Sequence, residues 1–174
     1  MEPKRGGNGE KRMKKLIRNL IIGSLFLFPV SATSEELPWM HNLDDAKELA
    51  LKEKRPLIVF LHSRRCFYCP KVIEEVFPDP KLQAFLKKNF VLLTLDVGTG
   101  SDSIEEETAD QAPERFIVSM TPAFLFMGPK EEKLYRKGKK HMIIYGFWTA
   151  PELIRWGQEA LKRFDKLYGE QYGR

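Results

Sequence analysis

The chain has 174 residues, 43% of them hydrophobic, with 29 Lys and Arg against 24 Asp and Glu. That length holds one domain with its own core and is short for two. Seven of the basic and two of the acidic residues fall within residues 1–32, which leaves 22 of each sign in the remainder; a folded part without net charge gives no ground for a nucleic-acid partner.

Residues 1–32 have the make-up of a signal peptide. A basic stretch ending Lys14-Lys15-Leu16-Ile17-Arg18 precedes an apolar run, Leu20 to Val30, and Val30-Ser31-Ala32 offers the small-residue pattern of a cleavage site. The run is about 11 residues, against the roughly 20 that a helix needs to span a bilayer. An uncleaved membrane anchor is the alternative. Either way the expected destination is exported, periplasmic or extracytoplasmic, where disulfides persist. The domain itself is expected over residues 33–174.

Leu37 to Met40 reads as an extended lead-in. Asn42 is placed to cap a helix from Leu43, with Asp44 and Asp45 in its first turn and Lys52 to Arg55 at its end; Pro56 stops it. Leu57 to Leu61 is an unbroken apolar run of strand length, which suits a strand covered on both faces. His62-Ser63-Arg64-Arg65 leads to Cys66-Phe67-Tyr68-Cys69, and the spacing predicts a helix opening near Cys66 and running to Phe77. Pro78-Asp79-Pro80 breaks it, Asp79 caps a short helix to Lys88, and Asn89 ends that one.

Phe90 to Val97 is a second strand of the buried type, followed by a loop over Gly98 to Ser103. The acidic run Glu105 to Glu107 reads as a solvated face, and Pro113 to Val118 as a short helix. Thr121-Pro122 leads a third strand, Ala123 to Met127. After the turn Gly128 to Glu131, Lys133 to Lys137 is the expected hairpin partner. Gly138 to Lys140 is a basic turn and Gly146 a bend. Pro151 begins a last helix with an apolar stripe from Leu153 to Leu167, and the tail from Gly169 is expected to fray. This order gives an α/β chain with parallel crossovers first and an antiparallel hairpin last, hence a mixed sheet covered by helices.

The only two cysteines are Cys66 and Cys69. At a strand-to-helix junction, unpaired N–H groups and positive potential favour thiolate, and Arg64 and Arg65 add charge of the right sign. Three uses stay open for the pair on these residues alone. One is redox exchange. Another is a fixed disulfide, which across so small a loop constrains the unfolded chain little. The last is half of a tetrahedral zinc site, for which the scattered His41, His62 and His141 offer no completion.

The chain resembles the thioredoxin-like fold, and within it exported thioredoxin-family proteins whose helix–strand lead-in ends in Lys-Pro or Arg-Pro. The residues that carry the likeness are Trp39, Ala46, Arg55-Pro56, Leu57 to Leu61, Cys66 to Cys69, Lys71, the strand through Asp96, Phe116 to Val118, Thr121-Pro122 with Ala123 to Phe126, and Gly146. They lie in family order over residues 37–165. The resemblance implies a central mixed β-sheet flanked by helices, with an N-terminal helical extension.

It implies an exported thiol–disulfide oxidoreductase, with reduction as the preferred direction because the chain has no room for the inserted helical domain of oxidising families. Cys66 would attack and Cys69 resolve. Pro122 would be cis, and Thr121 would offer its backbone to an extended substrate. The aromatic pair Phe67 and Tyr68 would contact apolar substrate segments. The implied partners are protein thiols or disulfides and a membrane protein supplying electrons. The chain would act as a monomer, with no metal and no cofactor beyond the redox-active disulfide.

Three positions depart from the family pattern. Phe67-Tyr68 replace Gly-Pro, Arg65 stands where tryptophan is usual, and Phe60 stands where a buried aspartate moves protons to the second cysteine. Arg65 is therefore a candidate for tuning the thiol, and His62 a candidate stand-in for the aspartate. A peptide-binding or chaperone module, or a metal-delivery protein with non-turnover cysteines, is the alternative function.

Overall fold

The computed structural model describes residues 36–98, 116, 118–134, 136–137, 140–141 and 143–173. All belong to the compact unit Ser34–Arg174. The expected signal peptide, the acidic run and most of the helix expected over Pro113 to Val118 lie outside the described residues.

The chain opens by adding its lead-in to the sheet. Met40 donates its N–H to the Leu92 carbonyl (2.8 Å) and accepts from the Thr94 N–H (2.9 Å). Helix α1, Leu43–Glu53, starts as expected, because the Asn42 side chain accepts from the N–H groups of Asp44 and Asp45. Lys54 closes it in the left-handed conformation, φ 54°. Strand β1 is Leu57–His62. Helix α2, Cys69–Lys71, continues as one wide π-helical turn over Val72–Val76, in which the Phe77 N–H reaches back to the Val72 carbonyl (2.9 Å). Helix α3 is Pro80–Asn89, capped by Asp79, whose carboxylate accepts from the Leu82 N–H (2.8 Å).

Strands β2, Val91–Asp96, and β3, Ala123–Met127, follow. The two-residue strands β4, Arg136–Lys137, and β5, Lys140–His141, form a separate two-stranded sheet among the described residues. Strand β6, Ile144–Tyr145, completes the main sheet, and helix α4 is Ala150–Tyr172. The sheet order is β2-β1-β3-β6. β1 and β2 are parallel, and the other two neighbouring pairs are antiparallel.

The expected hairpin partner of β3 needs correction. Lys133 makes one isolated bridge to Met127, and the Leu134 N–H bonds the Phe126 carbonyl (2.8 Å). Among the described residues that pairing goes no further, and the strand beside β3 is β6, with Ala123 opposite Tyr145 and Phe124 opposite Ile144. The frayed tail is a second correction. α4 runs on through Gly169 because Phe164, Tyr168 and Tyr172 stack along it, at centroid separations of 4.8 Å and 5.2 Å. Tyr168 also donates its hydroxyl proton to Glu132, in the turn after β3.

Both faces of the sheet are covered, which explains the unbroken apolar strands. Along β1, Leu57, Val59 and Leu61 face α1 through Leu43, Ala46 and Ala50. Ile58 and Phe60 face the opposite layer, built by Val72 and Val76 of the π-helical turn, Leu82 and Leu86 of α3, and Leu153, Ala160 and Phe164 of α4. α3 and α4 approach closely at Gly157. A Cβ there would come within 2.6 Å of the Phe85 ring.

Candidate active site

The site lies at the end of the sheet where the parallel pair finishes, His62 opposite Asp96, and where β3 begins and β6 ends. The crevice beyond the carboxyl ends of parallel strands is the usual location for ligands in α/β sheets. Three segments converge on it: the turn after β1, the residues before β3, and the loop after β6.

The first segment carries the cysteines. The Ser63 carbonyl accepts the Cys66 N–H (3.1 Å), and the Cys66 carbonyl accepts the Cys69 N–H (3.4 Å). A helix opening at Cys66 would need an N–H at position 70 to donate to the Cys66 carbonyl, and Pro70 has none; that carbonyl takes the Cys69 N–H instead, and α2 opens at Cys69 and not near Cys66. Pro70 then falls in the first helical turn, where a missing N–H leaves nothing unpaired. Cys66 and Cys69 form a disulfide, with Cα atoms 5.4 Å apart. Cys69, at 4% exposure, is more enclosed than Cys66 at 9%.

The second segment is Thr121-Pro122, whose peptide bond is cis. Pro122 is buried and Thr121 half-buried. The Thr121 hydroxyl lies 3.1 Å from the Ser63 hydroxyl, a hydrogen bond between residues 58 apart in the chain. The third segment is tied to the second, since the Gly146 N–H donates to the Pro122 carbonyl (2.8 Å). Gly146 turns the chain there with φ 102°, a conformation that disfavours any residue with a Cβ. Trp148 fixes the far side by donating its indole N–H to the Tyr145 carbonyl (2.7 Å).

Around the disulfide the surface is aromatic. Phe67 is 75% and Tyr68 50% exposed, with their rings edge to face at 5.2 Å. Tyr68 reaches Phe147 of the third segment at 6.5 Å. The Lys71 ammonium stands over both Phe67 and Tyr68, 5.5 and 5.8 Å from their centroids.

His62 is half-buried and stacks on Phe60 at 5.7 Å. The nearest acid in register with it is Asp96, whose carboxylate is 3.9 Å from the Arg64 guanidinium. Arg65 is exposed in the same turn. Phe60 fills the position where the resemblance implies an aspartate. It is 2% exposed and ringed by Trp39, Phe77 and Phe124 at 6.1, 5.2 and 5.4 Å. A carboxylate there would be buried among aromatic rings, an environment that disfavours its charged form.

The structure thus brings together Cys66, Cys69, Phe67, Tyr68, Thr121 and Pro122, with His62 and Arg65 on the turn beside them. Sequence reasoning gave no role to Ser63, Phe147 or Lys71. Ser63 and Phe147 stand out only through contacts across the sheet end; Lys71 had a signal, since its position beside the C-x-x-C places it one turn from the aromatic pair. Among the described residues no group of three His, Cys, Asp or Glu side chains could hold a metal ion. No described helix is long and apolar enough to cross a membrane.

A family profile described as thioredoxin-like matches residues 38–129. The chain belongs to the thioredoxin-like family. Among solved structures, this thioredoxin-like chain is similar to a putative disulphide-isomerase from Bacteroides thetaiotaomicron. The two share 21% identity and a TM-score of 0.53, over 72% of this chain and 91% of the other. It is also similar to the oxidoreductase DsbH, at 13% identity and a TM-score of 0.53, over 82% of this chain and 98% of the other. At these identities the likeness speaks to the fold. No curated protein matches the chain. The chain therefore has the thioredoxin-like disulfide-oxidoreductase fold, with a mixed four-stranded sheet, flanking helices and a C-x-x-C cysteine pair at its end.

Proposed function

We propose that the protein is an exported thiol–disulfide oxidoreductase that reduces disulfides in polypeptide substrates through Cys66 and Cys69. The observation that carries the reading is the Cys66–Cys69 disulfide beside the Thr121–Pro122 segment, with the Ser63–Thr121 hydroxyl pair joining the two. That arrangement puts a sulfur next to a backbone stretch with which an extended peptide can pair by strand addition.

In the dithiol form, the Cys66 thiolate attacks one sulfur of the substrate disulfide. The substrate S–S bond breaks, a mixed disulfide forms, and the other substrate sulfur leaves as a thiolate that takes up a proton. The Cys69 thiolate then attacks the Cys66 sulfur and releases the second substrate thiol. Two electrons pass to the substrate, and the protein ends as the Cys66–Cys69 disulfide. A membrane-held dithiol partner restores the dithiol by the same exchange. No metal or further cofactor is needed, and the protein acts as a monomer.

The greater exposure of Cys66 suits it to attack, and the enclosure of Cys69 suits it to resolution. Arg65 favours the Cys66 thiolate by its charge, and His62 carries the proton that the family's aspartate would carry. Phe67 and Tyr68 contact substrate. Export rests on the basic, apolar and small-residue pattern of residues 1–32.

The test is reduction of insulin by the purified protein with dithiothreitol as electron donor. Turnover is expected, and Cys66→Ser is expected to abolish it; full activity in that variant refutes the assignment. The exposed rings of Phe67 and Tyr68 also fit a second reading, a peptide-binding module, which predicts binding without insulin reduction. The reduction potential sets the direction: about −270 mV marks a reductant of the thioredoxin kind, about −120 mV a strong oxidant.

A further inference from the structure

Seven large apolar side chains stand exposed among the described residues, and five of them, Phe67, Tyr68, Ile73, Met120 and Phe147, lie on or next to the three segments of the site. Apolar surface gathered at one end of a fold marks a place that another molecule covers. Here Phe67, Tyr68 and Phe147 make a shelf of three rings from the C-x-x-C turn to the loop after β6.

The shelf has a charge set into it. Lys71 contacts Phe67 and Tyr68 through its ammonium and pairs with no carboxylate among the described residues. Glu74 and Glu75, one turn further along the helix and exposed, form no ion pair with it. On the other side of Cys66, Arg64 and Arg65 are exposed, and the Arg64 guanidinium lies 3.9 Å from the Asp96 carboxylate. The rim of the disulfide is therefore aromatic with cationic points.

We propose that the preferred substrate is a polypeptide segment that carries a bulky apolar side chain and a carboxylate next to its disulfide-bonded cysteine. The apolar side chain covers the Phe67–Tyr68–Phe147 shelf and the carboxylate takes the Lys71 ammonium. This deepens the oxidoreductase reading and rests on it.

The experiment uses four short peptides, each with one cysteine joined by a disulfide to a coloured aryl thiol. The cysteine is flanked by Phe and Glu, Phe and Gln, Phe and Lys, or Ala and Glu. Dithiol protein, freed of dithiothreitol, releases the aryl thiol as Cys66 bonds to the peptide sulfur, and Cys69 then displaces the peptide thiol.

The Phe–Glu peptide is expected to react about threefold faster than Phe–Gln, as for an exposed ion pair, with Phe–Lys slower again. It should react about tenfold faster than Ala–Glu, through covered aromatic surface. Lys71→Glu is expected to reverse the order of the Glu and Lys peptides, and Phe147→Ala to narrow the gap between Phe–Glu and Ala–Glu. A charge reversal at an exposed residue keeps the test decisive should Phe147→Ala fail to fold.

Four peptides reacting within twofold of one another overturn the proposal while leaving the oxidoreductase reading in place. Release no faster than from the Cys66→Ser variant overturns that reading instead. An undiscriminating peptide series, together with Phe147-dependent sedimentation with phosphatidylglycerol vesicles, overturns the proposal in favour of a lipid-facing patch.

Discussion

Ser63→Ala removes one hydroxyl and nothing else from the turn before Cys66. The lost contact is the 3.1 Å bond to the Thr121 hydroxyl, between two half-buried side chains. A hydrogen bond of this kind contributes about 0.5–1.5 kcal/mol net, and about 1 kcal/mol is the appropriate figure where water replaces part of it. The Ser63 carbonyl keeps its bond to the Cys66 N–H, since that bond is backbone only. The disulfide turn is therefore left in place while the Thr121–Pro122 segment loses its tether.

At about 1.4 kcal/mol per tenfold, kcat/KM for a polypeptide disulfide such as insulin should fall about fivefold. A small aryl disulfide does not use the Thr121 backbone, and its rate should change less than twofold. Ser63→Thr, which keeps the hydroxyl, should recover the polypeptide rate. Thr121→Val should lose as much as Ser63→Ala, and the double variant no more than either, a coupling of about 1 kcal/mol. Additive losses in that cycle, or equal losses on the small and the polypeptide disulfide, would refute the tether.

Phe60→Ala should cost about 3–5 kcal/mol in urea unfolding, because the ring is packed against Trp39, Phe77 and Phe124; a loss under about 1 kcal/mol would show that this cluster does not anchor the sheet. Asn42→Ala should cost about 1 kcal/mol by leaving the Asp44 and Asp45 N–H groups uncapped, and an unchanged melting midpoint would count against it. Burial, reinforced by the Glu132 carboxylate, raises the Tyr168 pKa. The folded chain therefore holds that proton after the unfolded chain has released it. Stability is full below tyrosine's ordinary value of about 10 and falls as pH rises above it. Tyr168→Phe should make that alkaline decline shallower, and a decline of unchanged slope would contradict the assignment.

What could be read from the residues was what is decided locally. The runs Leu57 to Leu61 and Ala123 to Met127 are strands because both faces are covered, and unbroken apolar sequence already says so. Asn42 and Asp79 cap the helices expected of them. What escaped was decided by distant partners. Lys133 to Lys137 and Ile144–Tyr145 both follow β3, and only the packed sheet shares its edge between them, Lys133 and Leu134 at the Met127 end and Ile144–Tyr145 at the Ala123 end. Gly169 reads as a helix end, yet Tyr168 and Tyr172 stack across it. The helix start moved to Cys69 because Pro70 has no N–H for the Cys66 carbonyl, which takes the Cys69 N–H in a tight turn. Cys66, Cys69, Thr121 and Pro122 stood out in the sequence. The Ser63–Thr121 bond and the Tyr68–Phe147 contact are carried by residues of ordinary type at unremarkable spacing.

The divided outer edge of β3 has a practical consequence for anyone altering this protein. Leu134 holds the Phe126 end of that edge and β6 holds the Ala123 end, while among the described residues β4 and β5 pair with each other and not with β3. Doubling the length of a connection costs only about 0.6 kcal/mol in closure entropy, and among the described residues the β4–β5 pairing makes no part of the sheet that carries the disulfide. A fluorophore tag or an affinity epitope spliced between Leu134 and Ile144 should leave folding intact and report on the molecule without touching the sulfur chemistry.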